Sequence, residues 1–198
     1  MVYNGVDPEL FFPAKAENTP ARILSVGNLI PIKGQDTLLR ALAAIRNYWP
    51  SECTIIGEGP EKDRLKALAA DLGIGKQVHF LGCQGRRQVA EAMRRCSLFV
   101  LPSRFEALGC VYLEAMSCGK TVIACRGQGI EEVIHHGVNG WLVDGGDVQE
   151  LASALSFLLA RQPVRERLGR AARQSILQGF TLVHQAERLA EVYRECLA

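Results

Sequence analysis

Two carboxylates, Glu106 and Glu114, stand eight residues apart in the segment Arg104–Gly119, RFEALGCVYLEAMSCG. The segment follows SLFVLP, a short apolar strand signal broken by Pro102. After Gly109 the apolar residues Val111, Leu113, Ala115 and Met116 recur as on a buried helix. That pattern places Glu106 on a loop and Glu114 inside the helix. The first free backbone N–H groups, near Leu108 to Val111, then face the mouth of a strand-to-helix crevice, where a helix start favours phosphate. An ionised carboxylate only accepts hydrogen bonds, so two of them beside a phosphate site suit the hydroxyls of ribose and hexose better than the phosphate itself. The chemistry implied is recognition of a sugar joined to a diphosphate. Glu114, between Leu113 and Ala115, is costly to bury without partners, and a ligand hydroxyl would be one.

The elements that must position these residues alternate along the chain. Strand patterns fall at Ile23–Val26, Cys53–Ile56, Val78–Leu81, Leu98–Leu101, Val122–Ala124 and Trp141–Val143. Helical patterns fall at Gln35–Tyr48, Glu61–Leu72, Arg87–Arg94, Gly109–Ser117, Val148–Ala160, Val164–Gln178 and Leu182–Cys196. The alternation predicts an α/β fold, a doubly wound, Rossmann-like parallel sheet of about six strands with crossover helices. In such a sheet ligands bind outside the carboxyl ends of the strands, so the loops that follow strands should converge on one crevice. Asp147 with Glu150 reads as a capping box for one helix. Residues 1–20 read as a linker, with Asp7–Pro20 its least patterned stretch, and residues 21–198 as one domain.

Composition bounds the function classes. The chain has 198 residues, 48% hydrophobic and 22% charged, with a net charge of +2. That is enough for one sizeable core and argues against disorder and against a nucleic-acid footprint. No apolar run approaches the ~18 to 20 residues that span a bilayer, and a cytoplasmic location is expected. Seven cysteines without C-x-x-C pairs predict reduced thiols, and Cys125 with His135 and His136 lacks the spacing of a zinc site, so no metal is expected. Cys110 lies near the expected helix start and reads as a small packing residue.

Glu106 and Glu114 closely resemble the E-x7-E signature of retaining glycosyltransferases with the GT-B fold. The resemblance extends to VYNGVDPELFFP at Val2–Pro13, VGNLIPIKG at Val26–Gly34, IIGEGP at Ile55–Pro60, VHFLG at Val78–Gly82 and GKTVIACRGQGIEEVIHHGVNGWLV at Gly119–Val143. It implies that the chain is the C-terminal, donor-binding half of such an enzyme, with an acceptor-binding N-terminal domain as its missing partner. The implied reaction is transfer of a sugar from a nucleotide diphosphate sugar, such as a UDP-sugar, with retention at the anomeric carbon. No further cofactor is implied. Glu106 resembles the glutamate beside the transferred sugar and Glu114 the one that accepts from ribose hydroxyls. Lys33 resembles the lysine that stabilises the departing diphosphate, with Gly27 and Gly34 letting the backbone turn closely. Ser103, Ala107, Leu108, Gly109, Cys110 and Val111 fall on the sugar and phosphate side; Gly57, Gly59, Phe80 and Leu81 fall on the nucleobase side.

The chain departs from the commonest family pattern at Asn28, where an arginine usually stands. Loss of a guanidinium there would weaken diphosphate binding by about 1–3 kcal/mol unless compensated, and Arg104 or Arg126 could supply the charge. Gly127–Glu132 resembles a loop often reading GGxPE, with Glu131 in place of proline making it less rigid and Glu132 stabilising it. An alternative reading is a stand-alone nucleotide-sugar-binding or regulatory module without catalysis. An epimerase or phosphorylase on the same architecture lacks its expected residues here. Arg161–Arg173, RQPVRERLGRAAR, reads as a solvated helix face and leaves peripheral membrane contact open. The donor's base and sugar are not legible.

Overall fold

The computed structural model describes residues 2–14 and 21–197. Lys15–Pro20, the end of the stretch read as a linker, lies outside the described residues. Six strands form one all-parallel sheet: β1 (Arg22–Val26), β2 (Glu52–Ile56), β3 (Val78–Phe80), β4 (Leu98–Val100), β5 (Thr121–Cys125) and β6 (Trp141–Val143), in the order 3-2-1-4-5-6. Each strand pattern read from the sequence is present, displaced by a residue at most at either end. The helices are α1 (Gln35–Ile45), α2 (Lys62–Asp71), α3 (Arg86–Arg95), α4 (Cys110–Ser117), α5 (Val148–Leu159), α6 (Gln162–Gly179) and α7 (Leu182–Leu197). Short 3-10 turns at Pro31–Lys33 and Gly129–Glu132 carry no periodicity long enough to read from sequence.

Successive strand residues point to opposite faces, and here both faces are covered. Ile23, Cys53, Ile55, Leu98, Val100, Ile123 and Val143 join one core with α1, α2 and α5. Leu24, Ile56, Phe99, Leu101, Val122, Ala124 and Leu142 join the other, under α3, α4 and α6. Double burial explains why the strands read as unbroken apolar runs instead of alternating ones. α4 is largely enclosed: Tyr112, Leu113, Ala115 and Met116 are buried, and the Tyr112 hydroxyl donates to the Leu101 carbonyl at 2.7 Å.

Residues 2–14, read as a linker, pack onto the domain. Val6 bridges Thr181, and its N–H donates to the Phe180 carbonyl at 2.9 Å. Phe11 is fully buried, and its carbonyl accepts from the Ser117 hydroxyl at 2.6 Å. α7 has no buried residue; it is held at its start by Val6 and exposes Val183, Val192 and Tyr193. The arginine stretch is a solvated face in part: Arg161, Arg167 and Arg170 are exposed, whereas the half-buried Arg165 and Arg173 donate to main-chain carbonyls of Leu158 and Leu159 and of Ser117, where α6 packs over helix ends.

Only half of the expected capping box forms. Asp147 Oδ1 accepts from the N–H groups of Gln149 and Glu150, both at 2.9 Å, but the Glu150 carboxylate turns to Arg126 and to the Asp144 N–H. The cap therefore rests on Asp147 alone. Asp147→Ala should cost about 1 kcal/mol and lower the melting temperature by about 2–4 °C for a domain of this size. Thermal unfolding followed by circular dichroism measures it, and an unchanged melting temperature would refute the assignment.

Candidate functional site

Strand order reverses between β1 and β4, and a crevice of about 380 Å³ opens at their carboxyl ends. The loop after β1 contributes Gly27, Asn28 and Lys33; the loop after β4 and the start of α4 contribute Glu106, Gly109, Cys110, Val111 and Glu114. Val26, Val89, Leu101 and the buried Phe11 form an apolar floor, and Gln84 and Arg86 enter from the start of α3.

Three close backbone approaches hold the loops. Gly34 has φ +70°, and a Cβ there would lie 2.1 Å from the Pro102 carbonyl oxygen, so glycine joins the loop after β1 to the loop after β4. Gly57 has φ +143°, and a Cβ would lie 2.0 Å from the Gly27 carbonyl oxygen. The tight turn expected at Gly27 itself is absent: its φ is not positive, and its neighbours leave room for a side chain. Its part is to offer the carbonyl against which Gly57 packs. The third approach sets Gly129 against the Ala107 carbonyl.

Glu106 is held by its main chain from both sides. Its N–H donates to Gln128 Oε1 at 2.9 Å, and its carbonyl accepts from the Gly129 N–H at 3.1 Å. Its carboxylate forms an ion pair with Lys33. Gln128 is thus a positioning residue that the sequence reading did not assign; its place in the GGxPE-like loop was the available signal. Within that loop Glu131, not Glu132, does the stabilising, accepting from the Gly127 N–H at 2.7 Å, whereas Glu132 accepts from the Tyr3 hydroxyl at 2.6 Å. The difference follows from direction: the 3-10 turn points Glu131 back at its own start and Glu132 towards the packed N-terminal segment.

Glu114, on the second turn of α4, faces the crevice with its Oε1 3.5 Å from Arg86 Nη2. Burial raises its carboxyl above the ordinary value of 4.5, and Arg86 pulls the other way. Arg86 is the crevice cation that the sequence did not reveal, because a charged residue opening a helix looks like any solvated side chain. The two arginines considered for that part sit elsewhere. Arg104 lies 3.6 Å from Asp36 and Arg126 is bound by Asp144 and Glu150.

Of the residues expected at the site, Gly27, Asn28, Lys33, Glu106, Gly109, Cys110, Val111 and Glu114 line one crevice. Ser103 is fully buried and braces the loops, its hydroxyl donating to the carbonyls of Phe105 (2.9 Å) and Ile32 (3.2 Å). Gly57 backs the first loop, Gly59 packs on the Leu29 carbonyl, Leu108 and Phe80 pack against the two cores, and Leu81 is exposed beyond β3. These, with Ala107, shape the crevice from behind or at its edge and do not line it. The Cys110 thiol accepts from Asn4 Nδ2 at 3.3 Å. Among the described residues no group of three His, Cys, Asp or Glu could hold a metal ion, and no helix is long and apolar enough to cross a membrane.

The family model described as Glycosyl transferases group 1 matches residues 6–175. D-inositol 3-phosphate glycosyltransferase of Mycolicibacterium smegmatis is 33% identical over 213 residues, covering 100% of this chain and 48% of that protein. Sucrose-phosphate synthase from Thermosynechococcus elongatus superimposes with a TM-score of 0.91 at 26% identity, covering 99% of this chain and 52% of that one. Anabaena HepE in complex with UDP and glucose gives 0.88 at 28% identity, covering 98% and 56%. The chain thus spans about half the length of the relatives it matches.

The folded chain holds the Glu114 proton more tightly than the unfolded chain does. That contribution to stability is full below the unfolded value near 4.5 and is lost as pH rises through the higher folded value. Glu114→Gln should therefore lose part of the wild-type decline in stability with rising pH in the window just above 4.5, measured by urea unfolding at a series of pH values. Parallel profiles for the two proteins would refute it.

Proposed function

Since the chain belongs to the glycosyl transferases group 1, we propose that its crevice binds a nucleotide diphosphate sugar and serves as the donor half of a sugar transfer with retention at the anomeric carbon. The observation that carries this reading is the pairing of two carboxylates with two cations, Lys33 with Glu106 and Arg86 with Glu114, inside one crevice at the switch point of the sheet. HepE, similar in fold and sequence, holds UDP and glucose, which supports a nucleotide and a hexose here.

The roles follow from the groups. Glu114 accepts hydrogen bonds from ribose hydroxyls. Lys33, with the free N–H groups at the start of α4, takes the diphosphate, where charge develops as the sugar departs. Glu106, released by Lys33, accepts from a hydroxyl of the transferred sugar near the anomeric carbon and stabilises the oxocarbenium charge. In a front-face displacement the acceptor oxygen bonds to the anomeric carbon as the bond to the β-phosphate oxygen breaks, and the acceptor proton passes to the departing phosphate. The acceptor itself would be bound by the other half of the full-length enzyme. Asn28 favours the second reading, a nucleotide-sugar-binding module without catalysis, since its side chain brings no charge to the phosphates.

Calorimetric titration with UDP, GDP, ADP and their glucose or mannose conjugates tests the reading. One base should bind, and Glu114→Ala should weaken the nucleoside and the nucleotide alike. Lys33→Ala should weaken only the diphosphate, by about 1.5–3 kcal/mol for the loss of a charge-assisted contact. Absence of binding by every nucleotide would overturn the donor reading, and full transfer activity by this chain alone would overturn its assignment as one half.

A further inference from the structure

At the amino ends of the inner strands lies a second cavity, of about 310 Å³, beside Ala21, Ser97 and Thr121, where β1, β4 and β5 begin. We infer that this cavity binds a phosphate-bearing anion, at a site separate from the donor crevice. The inference rests on its charge. Among the described residues, Arg94, Arg95, Lys120, Arg165 and Arg170 line it, against Glu166 as the one carboxylate.

The charge is neutralised only in part from outside the cavity, by Glu91. Arg94 and Arg95 share Glu91, and Arg170 reaches Glu166 only at 3.9 Å. Lys120 is 9% exposed, and its ammonium donates to the Arg94 carbonyl at 2.7 Å. Arg165 donates from Nη1 to the carbonyls of Leu158 and Leu159. Among the described residues neither Lys120 nor Arg165 has a carboxylate within 4.0 Å. Carbonyl dipoles orient these cations but leave their charge standing, and the buried Lys120 and half-buried Arg165, lining one cavity, are stabilised when an anion completes the set. The ammonium has three donors and the guanidinium five, so both keep donors beyond those bonds, and a guanidinium fork matches phosphate oxygens. The cavity has the volume of a small-ligand site. A multiply charged phosphate ligand fits these donors better than a carboxylate, which would answer one cation of the five. Burial also lowers the Arg165 pKa, the effect that an added anion would reverse.

Inorganic pyrophosphate, titrated calorimetrically into the 198-residue chain, is the probe. Lys33→Ala removes one of the two crevice cations, so the heat that this variant keeps and that charge reversal in the second cavity abolishes reports that cavity. Saturable binding should survive in Lys33→Ala and weaken by about tenfold or more when Arg95→Glu and Arg170→Glu are added, as expected for charge reversal around an anion. Both side chains are largely solvent-facing, 63% and 74% exposed, so the fold should persist, and an unchanged melting temperature verifies this. Pelleting with phosphatidylcholine vesicles carrying phosphatidic acid separates two sources of the phosphate group. Co-sedimentation lost on charge reversal identifies a lipid headgroup; pyrophosphate binding without co-sedimentation identifies a soluble ligand. No saturable pyrophosphate binding to Lys33→Ala, or binding unchanged by charge reversal in the folded protein, overturns the inference.

Discussion

A parallel sheet that is apolar on both faces must be covered on both, and the rest of this molecule depends on that constraint. Residues such as Ile23 and Leu24, neighbours in sequence, belong to separate cores. Each crossover must therefore choose a face: α1, α2 and α5 cover one, and α3, α4 and α6 the other. The change of direction between β1 and β4 leaves the loops after those strands splayed to opposite sides. The crevice is the space between them. It needs no dedicated scaffold beyond the topology that buries the sheet.

Within that space, position is set chiefly by the backbone and charge by side chains. Gly34 against Pro102, Gly57 against Gly27 and Gly129 against Ala107 are contacts that a Cβ would forbid. They fix the separation of the loops, and so bring Lys33 to Glu106. Gln128 and Gly129 then hold the Glu106 main chain, leaving its carboxylate to the crevice. The second pair differs in kind. Glu114 is anchored on a buried helix, whereas Arg86 reaches it from the exposed start of α3, at a longer distance and with more freedom.

The amino ends of the strands show the same economy of cations used differently. There Lys120 and Arg165 donate to carbonyls at the ends of α3 and α5, and arginines crowd one cavity. The N-terminal segment contributes to both ends: Phe11 lies under the crevice at the carboxyl ends of β1 and β4 while its carbonyl receives Ser117. A stretch that looks like a tether in sequence is therefore part of the core.

Six strands, seven helices and their order were legible in the sequence because double burial writes continuous apolar runs and helical periods, and these are local signals. The pair Glu106 and Glu114 was legible for the same reason, as carboxylates at the start of a helix otherwise apolar. Arg86 was not, since a helix-opening arginine carries no mark of its partner 28 residues away. Nor were the roles of Gln128 and Glu131, or the split of Asp147 from Glu150, which turn on where a side chain points after the loops have packed. The sequence by itself determined the elements, the family resemblance and the acids of the crevice. The tertiary structure alone decided which cation faces which acid and which glycines must stay bare, because ion pairs and close backbone approaches join residues distant in the chain, and local sequence holds no measure of that distance.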